Sequence, residues 1–311
     1  MFVKNRARVL SSTTPPATTV LRAIRELVLI AHVGKGRGID LRAQPVGTTG
    51  ATGRPLEVFA KNMFAECLGA PGSQVDAEWQ RTFCWTGSDN NPPDFMVRNG
   101  DAVEVKQLGG IGDIQLNSSP PKRVLRAEDP RLTEACRTCE EWTQRDFWYL
   151  VGKVNPNYVE ALWIVDGKCL ADKAEKYDMV FSSITGAVSE LGGTPSQELG
   201  RINELDSLGS TSLRVRGMWL LKHPAKVFAD YLLAPHVHQF VLNVLISSEK
   251  WKSFGESEIR QIVDLEQYGL MTKEIQIPDA INKGGLQSAN HISWSVNIQP
   301  QLPGVETNPE I

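Results

Sequence analysis

A chain of 311 residues, 41% hydrophobic and 22% charged, has ordinary globular composition and enough length for a large core. No apolar run approaches the roughly 18 residues of a membrane helix, and five cysteines, an odd number, disfavour a disulfide framework. The net charge of −3 hides an asymmetry. Residues 1–54 carry nine Lys and Arg against Glu26 and Asp40, a balance of +7 that leaves −10 on the remainder. A basic arm of this kind suits a polyanion.

Residues 1–18, with Ser11-Ser12-Thr13-Thr14-Pro15-Pro16, read as a flexible lead-in. The first 25 residues overlap in composition with transit peptides, but nothing else implies import, and a DNA-contacting or disordered tail is preferred. Apolar residues at 20, 21, 24, 27, 28 and 31 predict a helix. Residues 34–53 hold six glycines with Lys35, Arg37 and Arg42, a long loop. Its Gly34-Lys35-Gly36-Arg37-Gly38 run lacks the Gly-Lys-Ser/Thr ending of a nucleotide P-loop. Pro55 fits a first helical turn, followed by an apolar stripe through Leu56, Phe59, Met63 and Cys67. Glu57 lies at the edge of that stripe, four residues before Lys61. It reads either as half of an ion pair or as an extra metal-binding acid supplied by the helix preceding the next element.

That element, residues 90–106, reads as a β-hairpin with two carboxylates and a lysine. Asn99-Gly100 marks the turn. A two-residue turn would oppose Asp94 to Val105. A three-residue loop, Arg98-Asn99-Gly100 with Gly100 at positive φ, opposes Asp94 to Glu104 and gathers Phe95, Val97, Val103 and Val105 on the other face. One apolar and one charged face is what a half-buried pair needs, so the apolar pattern selects the second register. Opposed Cβ atoms lie about 4.5–5.5 Å apart. Two carboxylates so placed repel unless a cation lies between them, and oxygen ligands suit a hard divalent ion such as Mg²⁺. Lys106 points to the same face roughly 6.6 Å further along, within reach of a water or a phosphate oxygen. The Pro-Asp, Glu-x-Lys pattern resembles the PD-(D/E)xK nuclease signature, which is weak in isolation and gains from its hairpin context.

Beyond the hairpin, Asn117, Ser118 and Lys122 lie in a proline-stiffened segment, residues 115–123, expected to form a loop. Taken alone it reads first as an ordinary turn with solvated polar groups, and otherwise as a loop suited to phosphates or base edges. Residues 130–144 read as a helix with Cys136 and Cys139 on one face. A single Cys-x-x-Cys is half a zinc site, and with no second pair at suitable spacing the cysteines read as core. Residues 146–154 and 158–166 are aromatic and β-branched strands. Residues 172–191 are helical, stopped by Gly192-Gly193. One strand is expected over 212–220, with Arg214 and Arg216 on one face, a spacing suited to bidentate contact with guanine or phosphate, or alternatively to salt bridges with the acids of the remainder. Helices are expected over 224–234 and 259–268, a buried segment over 239–246, and a polar tail from Ser293.

Several of these stretches together are similar to the NgoPII family of type II restriction endonucleases. They are Asn91-Pro92-Pro93-Asp94 with Glu104-Val105-Lys106; Leu116-Asn117-Ser118-Ser119 with Pro121-Lys122; Cys136-x-x-Cys139-Glu140 with Trp142; Leu199-Gly200-Arg201-Ile202-Asn203; and Leu213-Arg214-Val215-Arg216-Gly217-Met218-Trp219. The match spans roughly residues 54–230. It implies an α/β fold, a mixed-sheet PD-(D/E)xK core flanked by helices, that cuts double-stranded DNA at the palindrome GGCC. It further implies Mg²⁺ dependence, 5′-phosphate ends and catalysis by Asp94, Glu104 and Lys106. Asp94 and Glu104 would hold the metal, with Glu57 a further candidate ligand; Asn117, Ser118, Lys122, Arg201, Arg214 and Arg216 are candidates for DNA contact. A palindromic site favours a homodimer; a cognate methyltransferase would be the functional partner, and the setting the bacterial cytoplasm. On this reading residues 1–53 form a basic, glycine-rich arm with one helix, 54–235 the nuclease core, and 236–311 a C-terminal extension without assigned role. The rival expectations are a structure-specific repair or recombination nuclease, and a DNA-binding regulator without catalysis; the intact acid pair and lysine argue against the latter.

Overall fold

Helix α1 (Val20–Val33) is the first helix of the described residues, and it forms because its apolar side chains recur at helical spacing: Val20, Leu21, Ile24, Leu27, Val28 and Ala31 are all buried. The computed structural model describes residues 15–33, 40–41, 44, 54–88, 91–155, 158–196, 199–208, 210–236 and 239–297. Much of the basic arm, including Lys4, Arg6, Arg8, Lys35, Arg37 and Arg42, lies outside the described residues, as do His238 and residues 298–311. Helices α2 (Pro55–Phe64) and α3 (Gly72–Thr82) follow, α2 beginning on Pro55, whose missing N–H costs nothing in a first turn.

The strands in chain order are β1 (Phe83–Trp85), β2 (Phe95–Val97), β3 (Ala102–Leu108), β4 (Ile114–Asn117), β5 (Val124–Arg126), β6 (Gln144–Asn155) and β7 (Tyr158–Asp166). Then come β8 (Thr194–Ser196), β9 (Leu199–Ile202), β10 (Leu213–Arg216), β11 (Trp219–Leu221), β12 (Gln239–Ser247), β13 (Met271–Pro278) and β14 (Leu286–Asn297). Among the described residues, a nine-stranded sheet runs β1-β2-β3-β6-β7-β12-β14-β13, with β5 also on β6. It is mixed: β3 and β6 pair in parallel, as do β7 and β12, while the other pairs are antiparallel. Two smaller sheets, β10-β9-β8 and β11-β4, stand beside it. The architecture is the expected α/β mixed sheet flanked by helices.

Period-two alternation along β6 divides the core into two layers. Trp148 and Leu150 join α1 and α2, whereas Phe147, Tyr149 and Val151 join the layer containing Met96, Ala102 and Trp163. Both faces of the sheet are covered at the hairpin, so the expected half-buried pair is corrected. Met96 and Ala102, which share the face of the acids, are fully buried.

Other expectations are also revised. The helix over 130–144 is a single turn, Glu134–Arg137. Thr133 caps its start and the Thr138 hydroxyl donates back to Glu134 O, a competing local bond that ends it. The 224–234 helix is likewise one turn, Pro224–Val227, and beyond it the Asn243 amide holds both Leu233 N and Leu233 O. The 115–123 loop begins as strand β4, and the strand expected over 212–220 breaks at Gly217-Met218 into β10 and β11, which pair with β9 and β4 respectively. Ser293 and Trp294 are not tail but buried positions of β14. Residues 239–297 thus supply strands β12 to β14 of the main sheet. No helix among the described residues is long and apolar enough to cross a membrane.

Candidate active site

The hairpin adopts the register that the apolar pattern selects. Phe95 pairs with Val103 and Met96 with Ala102, which sets Asp94 opposite Glu104. The loop closes through Gly100 N donating to Val97 O at 3.0 Å and Val97 N donating to Asp101 O at 2.9 Å. The left-handed residue, however, is Asn99 (φ 53°), not Gly100; Asn tolerates that conformation better than most residues. Gly100 is needed for space instead: a Cβ there would lie 2.8 Å from Val97 Cγ1 and 3.1 Å from Pro16 Cβ. Arg145 fastens the turn, donating to the Val97 carbonyl at 2.7 Å, to the Gly100 carbonyl and to Glu140. Glu140 in turn accepts from Asn99 N at 2.6 Å.

The two acids are held differently. Asp94 Oδ2 accepts from Val105 N at 2.5 Å, across the hairpin. Burial, then the neighbouring Glu104, pushes its carboxyl up to about 8. Glu104 Oε1 takes Lys106 Nζ at 2.7 Å, while Glu104 Oε2 is buried with no hydrogen-bond partner. Burial alone would pull the Lys106 ammonium down, but Glu104 and Asp94 more than offset it and the net shift is upward. Two opposed carboxyls, of which Asp94 resists ionising and Glu104 keeps one buried oxygen unpartnered, thus face a single ammonium, that of Lys106. A divalent cation fits that deficit by donor chemistry and by charge. Among the described residues no three His, Cys, Asp or Glu side chains converge into a metal-holding group, so Asp94 and Glu104 stand as a pair.

These residues line a cleft of about 880 Å³. Glu57, Asn117, Ser118, Lys122 and Arg216 line it too, brought there by four different elements. Glu57 is also the ion-pair partner of Lys61, at 2.6 Å, as its i,i+4 spacing suggested, and it does not converge with Asp94 and Glu104 into a group of three. Lys122 reaches the cleft with its ammonium already engaged by Asp129 at 2.5 Å. Burial opposes the ionised Asp129, but Lys122 and Arg131 hold it below the ordinary carboxylate range. Arg201 and Arg214 do not line the cleft; they face each other across the β9–β10 pairing. Cys136 is buried on its helical turn, and Cys139 Sγ donates to Cys84 Sγ at 2.8 Å.

Sequence reasoning missed several lining residues: Arg54, Thr86, Gly87, Ser88, Gln107 and Tyr149. Gly87 follows β1, a three-residue strand too short to show in the sequence. Its φ is 98°, and a Cβ there would lie 2.5 Å from Asp94 O, so the wall packs directly on the backbone of Asp94. Gln107 accepts from Leu56 N at 3.3 Å, tying β3 to the start of α2. Tyr149 had no signal beyond its place in a buried strand; its hydroxyl accepts from Lys122 N at 2.7 Å.

The model of the NgoPII restriction endonuclease family matches residues 18–278. The chain belongs to that family. The match reaches past the 54–230 span of the shared motifs at both ends. The type II restriction enzyme NgoPII of Neisseria gonorrhoeae is 32% identical over 263 residues, covering 83% of this chain and 94% of that protein. No solved structure matches the chain. As an NgoPII-type enzyme the protein is a type II site-specific deoxyribonuclease acting on DNA, a class that generally uses a divalent metal.

Proposed function

We propose that this NgoPII-type enzyme hydrolyses double-stranded DNA in a Mg²⁺-dependent reaction at a palindromic GGCC site, leaving 5′-phosphate ends. The observation that carries the reading is the opposition of Asp94 to Glu104, with Lys106 bonded to Glu104, inside a cleft that also holds Asn117, Ser118 and Arg216. Asp94 and the unpaired oxygen of Glu104 would hold the cation, with Glu57 as a further acid on the cleft wall. When bound, the cation supplies Lewis acidity toward the scissile phosphate and favours ionisation of water.

The chain's own groups do the rest. Val105 N fixes the Asp94 carboxylate through a backbone bond that the hairpin register dictates. Lys106, anchored to Glu104, orients the attacking water and offsets charge developing on the phosphate. Asn117, Ser118 and Arg216 offer polar contacts to DNA within the cleft, and Arg201 and Arg214 extend such contacts along the β9–β10 sheet. Contact by Lys122 requires its exchange from Asp129 to a phosphate. A palindrome is served by a two-fold homodimer with one hairpin per strand, and a cognate methyltransferase would protect the host's own sites.

Digestion of a sequenced plasmid in Mg²⁺ with end-mapping tests the reading. Discrete fragments ending within GGCC and bearing 5′-phosphates are expected, and a smear or no cutting overturns it. Asp94→Ala is expected to abolish cutting while leaving duplex binding largely intact; retained cutting would remove Asp94 from its role.

A further inference from the structure

Segment 179–220 carries nine of the fourteen exposed large hydrophobic side chains among the described residues. Its main element is the helix Ala174–Glu190, in which Val188 is the buried residue. Val188 packs tightly on the small sheet: Cβ atoms added at Gly193 or Gly200 would each lie 2.6 Å from Val188 Cγ1. Phe181 and Thr185 share that inner stripe, and the Arg131 guanidinium sits 5.4 Å over the Phe181 ring.

A second apolar stripe lies about 100° round the same helix. It consists of Val180, Ile184, Ala187 and, at the C-cap, Leu191, spaced by four, three and four residues. Val180 is 43% exposed, Ile184 41% and Leu191 71%. Alternating threes and fours is the spacing by which one helix packs along another.

We propose that this stripe is where two copies of the chain meet, with the two helices antiparallel about a two-fold axis near Thr185 and Gly186. The proposal rests on the homodimer reading above and assigns its surface. Pairing about that axis sets Val180 against Leu191 of the partner subunit, and Ile184 against the partner's Ala187. The small Ala187 leaves room for the partner's Ile184 and for close approach of the two backbones. Charge is complementary in the same arrangement. Lys176 in the first turn approaches the last turn of the partner, which carries Glu190, and the opposed helix dipoles attract. DNA is the poorer occupant, because the side chains of the stripe, Val180, Ile184, Ala187 and Leu191, offer no donor or cation to a phosphate.

The test is the mass of the full chain in solution, by light scattering on a sizing column, for wild type, Ile184→Glu and Met271→Glu. Met271, 57% exposed on the distant strand β13, serves as the control. Wild type and M271E are expected to run as dimers, and I184E at half that mass at equal concentration, its dimer weakened at least a hundredfold. A monomeric wild type overturns the homodimer reading and this surface together. A dimeric I184E leaves the dimer standing and overturns the surface alone. A monomeric wild type whose DNA affinity falls on I184E substitution would assign the stripe to DNA instead. Should I184E misfold, Ala187→Cys decides. A short bis-maleimide is expected to join A187C into a covalent dimer well above the wild-type background set by the half-buried Cys84 and Cys139, and no increase overturns the proposal.

Discussion

Glu104 gives one carboxylate oxygen to Lys106 and leaves the other buried without a partner, while Asp94 beside it is pushed toward its neutral form. Buried ionisable groups without compensating charge are costly, and in a cleft they mark where a charged ligand belongs. His223 shows the opposite solution, a buried group kept neutral for structural ends. It is fully buried, with its ring edge-on to Trp163 at a centroid distance of 4.6 Å, and Nδ1 accepts from Ala225 N at 3.0 Å. That bond caps the turn following β11, the strand whose pairing with β4 presents Asn117 to the cleft. Burial, then Lys226, lowers the His223 pKa to about 4. Because the folded value lies below the unfolded value of about 6.5, the stability it confers is complete above pH 6.5 and is lost as pH falls toward 4. His223→Asn keeps a capping acceptor and removes the titration. The variant is expected to be less stable than wild type at pH 7, and the gap should narrow by about 2–3 kcal/mol at pH 4.5. Urea unfolding at the two pH values checks it, and a constant gap would show that His223 does not titrate below its ordinary range.

At the scale of elements, the cleft depends on how α2 is tied to the loop after β1. Lys61, almost fully buried, donates to Glu57 Oε1 at 2.6 Å and to Thr86 O at 2.7 Å, and stands 5.4 Å over the Trp79 ring of α3. Lys61→Met leaves a carboxylate and a carbonyl without their cation, which costs about 3 kcal/mol for a pair of this burial. Adding Glu57→Gln to that variant should recover part of the loss, because the stranded charge is then gone. Chemical denaturation of the single and double variants measures both, and a loss under about 0.5 kcal/mol in K61M would mean the tie is solvated. Only half of this tie was legible in the sequence. The i,i+4 spacing exposes the Glu57–Lys61 pair, but Thr86 lies 25 residues away and enters through tertiary packing. The same division runs through the fold. Helices α1 and α2 show in their periodicity, strands β6 and β7 in their aromatic and β-branched composition, and β12 only as a buried segment, while the hairpin register follows from four apolar positions. The failures lie where long-range bonds override local preference: Arg145 and Glu140 gripping the hairpin turn, Asn243 holding Leu233, and β14 drawing Ser293 into the sheet.

For the whole molecule, charge distribution matters more than net charge. A body carrying −10 repels a polyanion, and residues 1–54, at +7, supply the long-range attraction. The first fourteen residues, outside the described ones, contribute Lys4, Arg6 and Arg8 and no acid. Each cation that neutralises a phosphate adds about 0.9 to the slope of log affinity against log salt. If all three do so, deleting residues 1–14 lowers that slope by between about 2 and 3. Between 50 and 200 mM salt the full chain should then lose about 40-fold more affinity than the shortened one. Fluorescence anisotropy on a labelled duplex measures this directly, using the Asp94→Ala background so that the DNA stays intact. Equal slopes for the two chains would show that the arm does not touch the backbone, and would leave the cations of the cleft to overcome the charge of the body by themselves.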